Sequence, residues 1–179
     1  LSSTNPGDSS SYSKVGSVIT ADTFDSTQSR EEFGYSIDLS VDGGTLYLVV
    51  GARKYYIDTP GNENGRFFVF KYNGSSWSLR GNIIQSPLGQ NNSEHFGNSV
   101  AINKNGTIVT IGAPKTTIGS RTEVGAAYVY FLKESTSTWV LDSDSTITLN
   151  SDNTTFPIES DISILGTGPV FGTSVATND

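Results

Sequence analysis

Phe96-Gly97-Asn98-Ser99-Val100-Ala101, then Ile111-Gly112-Ala113-Pro114, then Gly125-Ala126-Ala127-Tyr128-Val129-Tyr130: these landmarks decide how the chain is read, because all three recur upstream. The earlier copy runs Phe33-Gly34-Tyr35-Ser36-Ile37, Val50-Gly51-Ala52-Arg53 and Gly65-Arg66-Phe67-Phe68-Val69-Phe70. A third copy opens at Phe171-Gly172-Thr173-Ser174-Val175-Ala176. Self-similarity in a fixed order marks an architecture in which one supersecondary unit is copied and each copy buries its apolar faces against its neighbours.

Turn residues divide the first copy into four strands. Phe33 to Ser40 alternates, with Ile37 and Leu39 on one face, and Asp42-Gly43-Gly44 supplies a hairpin turn. Thr45 to Ala52 is an almost continuous apolar run, expected of a central strand covered on both faces. A polar loop, Arg53 to Asn64, leads to Arg66 to Tyr72, which is aromatic and β-branched, and Asn73-Gly74-Ser75 turns the chain into a fourth strand, Trp77 to Gln85. The second copy keeps this order with Phe96 to Asn103, a turn at Asn105-Gly106, Thr107 to Ala113, a loop from Pro114 to Glu123, Ala126 to Leu132, and Trp139 to Leu149.

Matching landmarks are separated by 63 residues (Phe33 to Phe96), 60 (Gly65 to Gly125) and 62 (Trp77 to Trp139). Such a period exceeds that of a short solenoid repeat and suits four-stranded propeller blades. No window carries a sustained 3.6-residue period. The expected fold is therefore all-β, with four-stranded antiparallel blades of the β-propeller type. Two full units lie at about 33–85 and 96–149.

Partial units flank them. Tyr12-Ser13-Lys14-Val15-Gly16 matches Trp77-Ser78-Leu79-Arg80-Gly81 at a displacement of 65, so the repeat region, 12–179, is expected to start with the last strand of a preceding unit. Residues 1–11 are Ser-rich, with too little apolar surface to offset their ordering entropy, and read as an arm or linker. Phe96 to Phe171 spans 75 residues, which places an insertion around Ser151 to Gly168 with an extra strand at Ile162 to Leu165.

Composition bounds the function. With 179 residues, 35% of them hydrophobic, the chain can build a sizeable core. There is no cysteine, hence no disulfide, thiolate metal site or cysteine nucleophile. A net charge of -7 opposes binding to nucleic acid or to anionic membrane surfaces. No apolar run approaches the ~20 residues of a membrane helix, and no signal-peptide core stands at the start. The chain begins at Leu1 and contains no methionine, as expected of a trimmed piece of a longer product.

The three Phe-Gly openings, with Gly112-Ala113-Pro114 and Gly51-Ala52-Arg53 following at blade spacing, resemble FG-GAP repeats over roughly Tyr12 to Ala176. Arg53 stands where the pattern has proline. The resemblance implies the β-propeller of integrin alpha subunits and an extracellular or cell-surface location. Physically, Gly34, Gly97 and Gly172 permit close backbone approach at the inner end of a blade, and Phe33, Phe96 and Phe171 fill space between sheets. Gly51 and Gly112 are expected to end their strands at a sharp turn, and Pro114 to fix the outgoing loop. Trp77 and Trp139 are expected to shield the outer strand, with sugar stacking the sharper alternative.

Many FG-GAP repeats carry a calcium loop of alternating aspartates between their first two strands. Here that position offers Asp38 and Asp42 before Gly43-Gly44 in the first unit, and Asn103, Lys104 and Asn105 in the second. These do not supply the converging carboxylates a hard cation needs, so no calcium and no other cofactor is expected. Asp142 and Asp144 read as solvated carboxylates. The single histidine, His95, has no partner imidazole and reads as a loop residue, and Glu31 and Glu32, before Phe33, read as a solvated turn rather than a glycosidase pair. No catalytic residue is identified, and the chain is not expected to be an enzyme.

Four sequons, at Asn73, Asn91, Asn105 and Asn153, fall in turns or connections and are candidate glycosylation sites. Asn73 and Asn105 should share one rim, and Asn91 and Asn153 the other. The leading functional expectation is a non-enzymatic extracellular structural or adhesive protein, a filament or other oligomer whose incomplete terminal blades pair with copies of itself or with remaining blades of a longer chain. The alternative is a ligand-binding or accessory propeller domain of a larger extracellular protein or enzyme. Arg53, Lys54, Tyr55, Tyr56 and Arg121, in the surface loops, would then make the contacts.

Overall fold

A computed structural model describes residues 13–21, 31–56, 61–89, 93–117, 122–142, 147–148 and 172–177. Among these the regular structure is all strand. The first sheet is built from β1 (Phe33–Asp42), β2 (Thr45–Ala52), β3 (Arg66–Tyr72), β4 (Trp77–Leu79) and β5 (Ile84–Gln85). The second holds β6 (Ser99–Ile102), β7 (Ile108–Ala113), β8 (Ala126–Lys133), β9 (Thr138–Leu141) and β10 (Ile147–Thr148). No helix among the described residues is long and apolar enough to cross a membrane.

Every neighbouring pair is antiparallel, and each sheet has a four-stranded plan. β4 and β5 both pair with β3, Leu79 opposite Phe70 and Ile84 opposite Phe67, so they are two halves of one outer strand. β9 and β10 share the edge of β8 in the same way. The all-β, blade-like architecture expected from the repeats is the one observed.

Local chemistry accounts for these bounds. β1 and β2 join through Gly43 and Gly44, both at positive φ (54° and 84°), the two-residue turn whose twist matches a hairpin. The expected unbroken strand from Trp77 to Gln85 is corrected to two pieces, because the chain leaves the ladder between Leu79 and Ile84. The second unit's first strand starts at Ser99 rather than Phe96, since Phe96 instead forms a parallel bridge with Gly65 of the first unit. Segments 13–21 and 172–177 form no strand ladder with the described residues. The expected extra strand at Ile162 to Leu165, and Phe171, lie outside the described residues.

The principal core lies between the two sheets. Tyr47, Val49, Phe67 and Val69 of the first sheet meet Phe96, Val100, Ile102, Tyr130 and Trp139 of the second unit, all buried. Phe67 sits at the centre, with ring centroids 5.8 Å from Phe96, 5.2 Å from Tyr130 and 6.3 Å from Trp139. Each such ring, fully buried, contributes about 2 to 3 kcal/mol of apolar transfer. The opposite face of the first sheet buries Val50, Ala52, Phe68 and Phe70, bordered by half-buried Phe33, Leu48 and Ile19.

Candidate functional site: the junction between units

The second Phe-Gly opening is a backbone plug seated in the preceding unit. The segment entering the second unit runs beside Glu63 to Gly65: the His95 amide donates to the Glu63 carbonyl (3.1 Å) and the Phe96 amide to the Asn64 carbonyl (2.8 Å). A Cβ on Gly65 would fall on the Phe96 carbonyl oxygen, and one on Gly51 on the Gly97 carbonyl oxygen. Gly97 in turn, at φ 89°, leaves no room for a side chain beside the Arg66 carbonyl. Ser36 completes the socket by donating its hydroxyl to the Gly97 carbonyl at 2.7 Å.

The same parts recur one unit on. Ser99 donates to the Gly172 carbonyl at 2.9 Å, and a Cβ on Gly112 would meet that same carbonyl. Gly51 and Gly112 lie within β2 and β7, one residue before their ends, and neither has positive φ. Their glycine requirement is therefore space for the neighbour's backbone, a correction to the expected sharp turn. Gly34, like Gly97, has positive φ (84°), but nothing lies within 4 Å of its Cβ position among the described residues.

A second interlock joins the outer strands. Trp139 is 4% exposed, and its indole N–H donates to the Arg80 carbonyl at 2.8 Å while the ring lies over Gly81. Trp77 repeats this against the N-terminal segment, donating to the Val15 carbonyl at 3.1 Å with its ring over Gly16. The N-terminal segment thus occupies the outer position of a preceding unit. Burial leaves Trp139 no face for a sugar, so the stacking alternative is overturned there.

The acidic residues Glu31 and Glu94, two places ahead of Phe33 and Phe96, are buried, which corrects the solvated-turn reading of Glu31. Glu31 is 2% exposed and takes an ion pair from Arg66 Nε at 2.5 Å, with the guanidinium stacked over the Tyr55 ring. Glu94, at the matching position, is fully buried and accepts the hydroxyls of Thr116 and Tyr128, each at 3.0 Å. Burial raises the Glu94 pKa, and the two hydroxyls oppose the rise by favouring the anion. One carboxylate thus has a cationic partner and the other neutral partners, because Arg66 and Phe68 of the first unit become Ala126 and Tyr128 in the second.

His95 is buried too, not a free loop residue. Its ring Nε2 lies 2.7 Å from Glu63 Oε2, and burial lowers its pKa against the opposing pull of that carboxylate. Glu32 holds Arg53 and Lys54, each at 2.7 Å, and their hydrogen bonds lower its pKa despite partial burial.

Among the contact candidates, Arg53 also donates to Asn98 at 3.1 Å and stacks 3.5 Å over Tyr35, and Lys54 lies on the same rim. Tyr55 is removed from the surface: it is buried under Arg66, and its hydroxyl accepts from Gln85. Tyr56 is half-buried. Arg121, Asp144, Asn91 and Asn153 lie outside the described residues, while Asn73 and Asn105 are exposed on turns at the same end of their sheets.

The first-to-second-strand turns spend their oxygens internally. Asn103 Oδ1 accepts the amides of Thr107 and Ile108, both at 2.9 Å, and Asn105 Oδ1 accepts the Thr107 hydroxyl. Asp38 accepts the amide of Ile102 across the units at 2.9 Å. Among the described residues no group of three or more His, Cys, Asp or Glu converges as a metal site.

Ser36 and Ser99 are the junction residues that residue-type reasoning passed over. The signal was a serine two places after each Phe-Gly glycine, at Ser36, Ser99 and Ser174. Residues 87–130, from Pro87 through the second plug and socket to Tyr130, match the FG-GAP repeat family. No curated protein matches the chain.

Proposed function

We propose that this chain is a non-enzymatic, extracellular or cell-surface structural or adhesive module that assembles by adding FG-GAP units face to face. The observation that carries the reading is the repeated junction: the same serine, glycine and backbone contacts hold Gly97 on the first unit and Gly172 on the second. A joint built from backbone and small residues can be reused without redesign of the neighbouring unit, as an extendable scaffold requires. The buried carboxylates sit inside this joint, Glu31 held by Arg66 and Glu94 by Thr116 and Tyr128, an arrangement that suits a structural role.

Glycosylation fits the same reading. Asn73 and Asn105 are solvent-exposed, and in each sequon the hydroxyl of the third residue donates to the asparagine Oδ1, at 3.0 Å for Ser75 and 2.6 Å for Thr107. Light scattering and electron microscopy of native material test the assembly. Particles built from many copies are expected, and a population consisting only of a discrete 19.1-kDa monomer overturns it.

A further inference from the structure

One face of β1 is apolar and open. Tyr35, Ile37, Leu39 and Val41 alternate along it and are 49%, 65%, 54% and 51% exposed. At the matching positions of the second unit, 63 residues on from Ile37 and Leu39, Val100 and Ile102 are 7% and 5% exposed because they pack on the first sheet. The first unit therefore presents the surface that the second has already buried.

Among the described residues, plugs outnumber sockets. The Phe33-Gly34, Phe96-Gly97 and Gly172 segments are three plugs of one kind, while the described residues form two sockets, one at Ser36, Gly51 and Gly65 and one at Ser99, Gly112 and Ala126. Gly97 fills the first and Gly172 the second. Gly34 has no socket among the described residues.

We infer that the open β1 face docks on the second unit of another copy of this chain, and that the segment at Gly172 is an internal cap that must leave the Ser99–Gly112 socket of that copy before Gly34 of the docking chain can enter. The inference rests on the assembly reading above and names its partner and its control. The occupant follows from continuity with the existing junction: the Ser99–Gly112 socket repeats the chemistry that already holds a Phe-Gly plug. Exchange replaces one Ser99-to-glycine-carbonyl contact by another and adds burial of Ile37 and Leu39. The cap competes from within the same chain, at an effective concentration of about a millimolar, so purified chain stays monomeric when dilute. The contact is heterologous, so exchanged copies grow head to tail unless the rotation closes a ring.

Gly172→Val in the full chain tests this. Its side chain would collide with the Ala126 carbonyl at a φ of 79°, expelling the cap. Sedimentation velocity at micromolar concentration should show the unaltered chain at 19.1 kDa and the variant at twice that mass or more, rising with concentration. Adding Ile37→Lys and Leu39→Lys to the variant, or an excess of a peptide copying residues 169–177, should return it to monomer. A variant that stays monomeric while circular dichroism and Trp139 fluorescence report a folded chain overturns the inference, as do oligomers indifferent to the lysines. Should Gly172→Val unfold, the unaltered chain at about millimolar concentration reads the same exchange: its mass must rise, and the two lysines must abolish the rise. These results concern the purified chain, so they fail or succeed separately from the microscopy of native material.

Discussion

Ser36 and Gly97 are 61 residues apart and joined by a 2.7 Å hydrogen bond, hydroxyl to carbonyl, across the seam between two units. The bond is half-buried, and the neighbouring Gly51 leaves room for it. Ser36→Ala should cost about 1 kcal/mol, the usual net worth of such a bond. Gly51→Ala should cost more, about 3 kcal/mol, because its methyl would meet a backbone oxygen that cannot move without shifting the plug. Urea denaturation ranks the two, and an alanine at 51 that costs less than one at 36 would show the seam to be loosely packed.

The outer seam offers an independent measurement. Trp139→Phe keeps an aromatic ring against Gly81 but removes the N–H that reaches the Arg80 carbonyl at 2.8 Å. A loss of about 1 to 2 kcal/mol is expected, from the missing bond and the smaller ring. Trp77→Phe should cost less, since Trp77 is only half-buried. Equal losses at the two positions would contradict the difference in burial.

Much of this fold could be read in the residues. Gly43-Gly44 set the first hairpin, the apolar run Leu46 to Val50 marked a central strand, and the two landmark series gave the unit boundaries. What the residues concealed was relational. Gly51 looks like a turn glycine in isolation, and only the position of Gly97 explains it. Glu31 and Glu94 precede Phe-Gly in sequence like ordinary solvated acids, but their partners Arg66, Thr116 and Tyr128 lie 35, 22 and 34 residues away. Strand pairing is local enough to leave a pattern, whereas burial of a charge depends on the neighbouring strands and loops.

The Glu31–Arg66 pair makes the unit-one joint fragile to single changes. Both side chains are at most 3% exposed, so removing Arg66 leaves the Glu31 carboxylate buried without the guanidinium that faces it. Arg66→Met should destabilise by about 3 to 5 kcal/mol. Adding Glu31→Gln should recover a large part of that loss, because the remaining group is neutral. A double variant no more stable than Arg66→Met alone would refute the charge account.

Chelators should leave the chain's melting temperature unchanged. The Gly43-Gly44 turn has no side chains to offer, and Asn103 and Asn105 commit their oxygens to N–H and O–H donors. A hard cation needs six or more oxygens turned inward. Calorimetry with EDTA and then with added calcium checks this, and a shift of several degrees in either direction would point to ligands in those turns.

Glu94 should give the stability curve an unusual slope. Burial raises its folded-state pKa above the ordinary value of 4.5, so between those two values the folded chain holds a proton that the unfolded chain has released. Stability from this group is fully present below the unfolded value and is lost as pH rises through the folded one. Most carboxylates act in the opposite direction. His95, next in sequence, has its pKa lowered by burial, so its contribution is present above 6.5 and is lost as pH falls through the folded value. Glu94→Gln separates the two, because the amide oxygen can still accept from Thr116 and Tyr128 while the titration is gone. Relative to the unaltered chain, the variant should gain stability as pH rises from the unfolded value of 4.5 until the raised folded value is passed, and then hold that gain. Urea midpoints across that range decide it: stability curves that run parallel from acid to neutral pH would mean that folding leaves the Glu94 pKa unshifted.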